Sequence, residues 1–227
     1  RRPMVPKSLR FVRRLTFSNL VYALCPSSDL QYCFVGLGGG NVAQMDADAV
    51  VKEEFACMGV HVNGLCQTDG KLYGLSFKFA GNYSFKCVNL NSGNHEIPMK
   101  ENHLCGGRSI LKVACTSKEI IAPQPDLKQL CVYNFGGVFR RAISIPSLRH
   151  NNIGMATGCD CMIVVTDKVN VYMVNTASGE IAWTVTNIDV PGAVSFHNEE
   201  VVMVADSKKK EVMLDFCTGT FSNLVFW

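Results

Sequence analysis

Short apolar runs broken by polar turns recur from residue 20 onward. LVYALC (20–25), QYCFVGL (31–37), LYGLSF (72–77), ILKVAC (110–115), CMIVVTD (161–167) and EVVMVAD (200–206) are six or seven residues long. They are rich in β-branched and aromatic residues, which favours strands. Turn-forming clusters such as PSSD (26–29), QTDG (67–70), TSK (116–118) and HNE (197–199) separate them. No stretch sustains a helical period of useful length.

The runs repeat as a set. Aligned on a small-residue turn, QMDADAVVKEEF (44–55), CVNLNSGNHEIPM (87–99), CVYNFGGVFRRAI (131–143), MVNTASGEIAWTV (173–185) and MLDFCTGTFSNLV (213–225) superimpose. Their turn residues Ala49, Gly93, Gly137, Gly179 and Gly219 are separated by 44, 44, 42 and 40 positions. Two further apolar runs precede each aligned hairpin, so each unit predicts four short strands, a to d, joined by hairpin-length loops. Four-stranded units at this period are the blades of a β-propeller.

The sequence therefore predicts an all-β chain of four-stranded antiparallel blades. Five blades are readable, at about 18–58, 59–104, 105–148, 149–189 and 190–227. Residues 1–17 precede them as a basic arm or a closing strand. PKSLRFVRRLTF (6–17) reads as the last strand of a sixth blade, which favours part of a six-bladed ring over a complete five-bladed one. The first residue is Arg1, as expected of a processed product or an excised piece.

Charge adds a direction to this plan. The arm carries Arg1, Arg2, Lys7, Arg10, Arg13 and Arg14 with no acid, while the chain as a whole has a net charge of +3. Its plainest role is a solvated lead into the first strand, although such an arm also suits an acidic partner. In a propeller the b–c and d–a loops share one face. That face gathers Arg108, Lys128, Arg149, Lys168 and the Lys208, Lys209, Lys210 run, with His150 beside Arg149. The opposite face is predominantly acidic. A disc with opposed faces has a preferred side for an anionic partner.

Eleven cysteines could mean bridges, ligands or core. Cys25, Cys66, Cys115 and Cys159 close strand a of successive blades, with His197 at that place in the fifth. Cys87, Cys131, Met173 and Met213 share one aligned position, which predicts a site needing a soft apolar residue. His150 with Cys159, Asp160 and Cys161 is a local cluster without zinc-site spacing, so no metal is assigned. Spread-out thiols suit a reducing, cytoplasmic setting, and an extracellular one stays open.

MIVVTDKVNVYMVNTASGE (162–180) and VVMVADSKKKEVMLDFCTGTF (201–221) resemble NHL-type repeats. In these an apolar strand ends in Asp, and a second strand ends in Asn or Asp before a Gly turn. The matching positions are Asp167, Asn175 and Gly179, then Asp206, Asp215 and Gly219. Blade three keeps the shape with Asp126, and blades one and two match poorly; WD-repeat and kelch-like propellers are relatives of the same outline. The resemblance implies the substrate- or RNA-binding module of tripartite-motif ubiquitin ligases. VYMVNTASGEIAW (171–183) is also similar to the repeat of quinoprotein propellers, but Trp183 has no counterpart at Glu53, Ile97, Arg141 or Asn223.

No P-loop, dinucleotide fingerprint, nucleophile elbow or zincin helix is present in the sequence. GLGGGN (36–41) follows a strand with no helix after it to hold a phosphate. No apolar run is long enough to span a bilayer as a helix. The expectation is a non-catalytic scaffold presenting its basic face to a protein partner, with no cofactor. Two alternatives are an RNA-binding propeller and an enzyme, hydrolase or quinone-dependent oxidoreductase, with its site at the channel mouth.

Overall fold

The computed structural model describes residues 17, 19–27, 31–46, 48, 50–55, 61–68, 70–77, 83–89, 112–149, 153–158, 161–186, 188, 194–196, 201–206, 210–215 and 219. Among these, eighteen strands form five antiparallel meanders. The first sheet holds β1 (Val21–Pro26), β2 (Tyr32–Leu37), β3 (Val42–Asp46) and β4 (Val51–Phe55). The second holds β5 (His61–Thr68), β6 (Lys71–Phe77) and β7 (Tyr83–Asn89). The third holds β8 (Ala114–Cys115), β9 (Ile120–Gln124), β10 (Gln129–Tyr133) and β11 (Phe139–Ser144), with a single 3₁₀ turn over Pro125–Leu127. The fourth holds β12 (Gly154–Thr157), β13 (Met162–Thr166), β14 (Asn170–Asn175) and β15 (Ile181–Thr186). The fifth holds β16 (Val194–Phe196), β17 (Val201–Asp206) and β18 (Lys210–Asp215).

Among the described residues the second, third and fourth sheets bury both faces against their neighbours, which is why their middle strands read as unbroken apolar runs. In β13, Ile163 and Val165 pack with Ile121, Leu130 and Val132 of the third sheet. Val164, between them, packs with Val202 and Val204 of the fifth. The two-residue strand period thus sends alternate side chains into two different cores. Corresponding cores join the second sheet to the third (Tyr73, Leu75 with Ile120, Tyr133) and the first to the second (Phe34, Val42 with Val62, Leu72).

The inner strands approach closely. A β-carbon on Gly64 of β5 would lie 2.7 Å from the Val113 backbone nitrogen, so only glycine fits there. Thr157 Oγ1 at the end of β12 donates to the Cys115 carbonyl of β8 at 2.7 Å. Lys112 reaches past the second sheet and donates from Nζ to the Tyr22 carbonyl of β1 at 2.5 Å. Burial pulls the Lys112 ammonium below the usual lysine range.

One expectation of shared packing is corrected. Cys131 and Met173 are both buried, yet Cys131 faces the second sheet and Met173 faces the fifth. The reason lies in the turns. Asn134 accepts from Gly137 N, whereas Asn175 accepts from Gly179 N, one residue further along. Aligning on the glycine therefore shifts the preceding strand by one position, which reverses every side chain. Cys87 and Met213 have side chains outside the described residues.

The motif residues that end strand c have a local role. Asn134 Oδ1 accepts from Gly136 N and Val138 N, Asn175 Oδ1 from Ala177 N and Ser178 N, and Asp46 Oδ1 from Val50 N. Each is an Asx turn that fixes the c–d hairpin. Gly137, Gly179 and Gly219 then take positive φ values of 73°, 78° and 68°.

Candidate binding cleft on the basic face

Three of the residues read as partner-binding converge. Lys128, Arg149 and Lys168 line an open cleft of about 730 Å³ together with Pro146, Ser147, Leu148 and Asn170. Lys128 follows the 3₁₀ turn between β9 and β10, Arg149 lies between β11 and β12, and Lys168 lies between β13 and β14. They come from blades three and four, on the face that carries the b–c and d–a loops. All three are exposed, and none has an ion-pair partner among the described residues. Asp126, two residues before Lys128, does not line the cleft.

A buried carboxylate holds this rim in place. Asp167 is fully buried, and its Oδ1 accepts from Val169 N at 2.9 Å and Asn170 N at 2.8 Å. Its Oδ2 accepts from Arg149 N at 3.0 Å, Tyr172 OH at 2.9 Å and Asn170 Nδ2 at 3.2 Å. Asn170 Nδ2 also donates to Tyr172 OH at 2.9 Å. Burial, with Asp167 adding to it, pushes the Tyr172 phenol above its ordinary value, and Ser147 hydrogen-bonds the same oxygen. One side chain thus ties the loop carrying Arg149 to the loop carrying Lys168. Lys128 is joined to them through Ile145 N, which donates to its carbonyl at 2.8 Å.

By strand count Asp167 lies on the same face as these lysines. Its oxygens point inward and are saturated, so it supports the basic rim. Ser147, Asn170 and Tyr172 were missed by sequence reasoning. The Asp-x-x-Asn spacing of an Asx loop was the signal available for Asn170; nothing local marks the other two.

The remaining predicted residues are placed as follows. Lys210 opens β18 as the register partner of Asp206, so it belongs to a strand and not to the loop. Arg108, His150, Lys208, Lys209 and the arm residues Arg1, Arg2, Lys7, Arg10, Arg13 and Arg14 lie outside the described residues. So do Cys159 and Asp160 of the cysteine cluster. Among the described residues no group of His, Cys, Asp and Glu is placed to hold a metal ion, and no helix is long and apolar enough to cross a membrane.

The opposite face is built differently. There Arg141 of β11 makes a bidentate pair with Glu119, at 2.6 and 2.7 Å, and donates to the Thr176 carbonyl of the next blade. Lys52 pairs with Asp46 at 2.8 Å. Arg141 and Lys52 are engaged in internal contacts there, while Lys128, Arg149 and Lys168 at the cleft have no ion pair among the described residues.

Solved structures share this arrangement of sheets. The chain is similar to one in a crystal structure of the mitotic checkpoint complex, at 14% identity and a TM-score of 0.68, covering 92% of this chain and 65% of that one. It is similar to the WD40 β-propeller domain of Doa1, at 12% identity and a TM-score of 0.65, covering 93% and 70%. It is also similar to a chain in a nidogen/laminin complex, at 8% identity and a TM-score of 0.72, covering 91% and 80%. The chain has the β-propeller fold. It spans about two thirds of the length of the first of these. No family model matches the sequence, and no curated protein matches it. At these identities the likeness concerns the fold alone.

Proposed function

We propose that this propeller is a non-catalytic binding scaffold that presents its basic loop face to a protein partner. The observation that carries the reading is the cleft of Lys128, Arg149 and Lys168, whose charges are unpaired among the described residues and whose loops are pinned by Asp167. Matched structures come from assemblies of several proteins by their names, the mitotic checkpoint complex and nidogen/laminin, which is consistent with such a role. A finer reading follows from the repeat resemblance: an NHL-type propeller that selects substrates within a ubiquitin-ligase-type assembly. The free cysteines, Cys25, Cys66, Cys115 and Cys131 among them buried, support a cytoplasmic setting.

The test uses immobilised protein, cell lysate treated with ribonuclease, and mass spectrometry of what is retained. Proteins held by the wild type are expected to be lost when Lys168→Glu and Arg149→Glu are combined, with an unchanged circular dichroism spectrum. Retention of the same proteins by the folded variant would overturn the reading.

A further inference from the structure

We infer that the cleft is a receptor for a phosphorylated serine or threonine side chain of the partner, an inference that rests on the scaffold reading above. Three cations from three loops face one concavity, and no acidic residue lines it. A single carboxylate would satisfy at most one or two of them. A phosphoryl group carries a charge of about −1.5 to −2 and three acceptor oxygens, and arginine can meet two of these with its planar fork.

The cleft is organised before any ligand arrives. Lys128 holds φ at 52°, the left-handed region, and is the one non-glycine residue with positive φ among those described. Strain of this kind persists where the surroundings fix it, and here Ile145 N grips the Lys128 carbonyl. Arg149 and Lys168 flank the Asp167 network, so their backbones are set while their side chains stay exposed. Little backbone ordering remains to oppose binding.

The composition of the lining favours a peptide over RNA. Single-stranded RNA is held by aromatic side chains on which bases stack. The cleft has none; Pro146 is exposed and supplies its apolar surface, Leu148 is buried in the core beneath, and Leu127, 60% exposed, stands next to Lys128. That surface suits an apolar residue flanking the phosphorylated one.

The test is capture from a degenerate nonapeptide library with phosphoserine or phosphothreonine fixed at the centre, against libraries with serine or glutamate there and against a ten-residue oligouridine. The phosphorylated libraries are expected to bind at least about tenfold better than either control library. Inorganic phosphate at millimolar concentration should compete. A variant combining Lys128→Gly, Arg149→Gln and Lys168→Gln should lose this preference. It keeps the backbone contacts, because glycine accepts the left-handed φ and the Asp167 bond uses the Arg149 main chain. Equal capture of phosphorylated and serine libraries, capture by the folded triple variant, or stronger binding of the oligouridine would each overturn the inference. Partners that stay bound after phosphatase treatment but depend on Arg149 and Lys168 would sink the phosphate and spare the scaffold.

Discussion

A β-carbon placed on Gly219 would lie 2.7 Å from Cδ2 of the Trp183 indole. Gly219 belongs to the c–d turn of blade five, and Trp183 to the outer strand β15 of blade four. The outer tryptophan therefore seats on the next blade's turn, and the turn can come this close only as glycine. Its φ of 68° is a second reason.

Gly219→Ala is expected to cost roughly 2–4 kcal/mol, from left-handed strain together with overpacking against the ring. Gly179→Ala is the matched control, since its φ is 78° but its β-carbon would meet only Ile143 Cγ1 at 3.9 Å. It should lose only the strain component, about 1 kcal/mol. Thermal unfolding of both, with Trp183→Ala added to Gly219→Ala, separates the two causes: the double variant should recover part of the loss.

Asp167→Ala would strand the buried amide of Asn170 and release Arg149 N and Val169 N. With a stranded donor costing about 1–3 kcal/mol, a loss of at least about 3 kcal/mol is expected in urea unfolding. Tyr172→Phe removes one partner of the same carboxylate and should cost about 1 kcal/mol. Hydrogen exchange should rise at residues 145–149 and 167–170 together in Asp167→Ala. A rise in one loop alone would contradict the tie between them.

Burial, reinforced by Cys115 and Cys33, pushes the Cys25 thiol up to about 12 from its ordinary 9.0. The native protein holds it as the unreactive thiol at neutral pH. Iodoacetamide at pH 8 should leave Cys25 unmodified until the protein unfolds, as read by peptide mass spectrometry. The sign of the pH effect follows from the raised value. Below pH 9 the folded and unfolded states are equally protonated at this site; between 9 and about 12 only the unfolded chain ionises, so this thiol's contribution falls with rising pH.

Arg141 bridges Glu119 and Thr176, and so joins blades three and four on the acidic side. The pair is partly exposed, so a double-mutant cycle with Arg141→Ala and Glu119→Ala should give a coupling of about 0.2–1 kcal/mol, smaller in 0.5 M salt. Arg141→Lys should not restore it, because an ammonium cannot make the bidentate contact and reach Thr176 together.

The basic face shows how far local pattern reaches. Lys128 and Lys168 were assigned to b–c loops and Arg149 to a d–a loop from strand count alone, and the cleft brings all three together. The inward turn of Asp167 and the contributions of Ser147 and Tyr172 were not legible. They depend on which loop lies over which, across a separation of 18 positions between Arg149 and Asp167.

What the sequence determined by itself was the repeat of short antiparallel strands, seen as complete four-stranded units in three of the five described sheets, and its turns. These follow from a two-residue period and from Asn, Asp and Gly conformational preferences, which act within a few residues. Tertiary structure decided the facing of Cys131 against Met173, the seat of Trp183 on Gly219, and the convergence of three cations around a saturated carboxylate. A one-residue difference in turn length is nearly invisible in an alignment, yet it reverses a strand's two faces. Contacts between blades are set by packing across distant segments, so no local pattern records them.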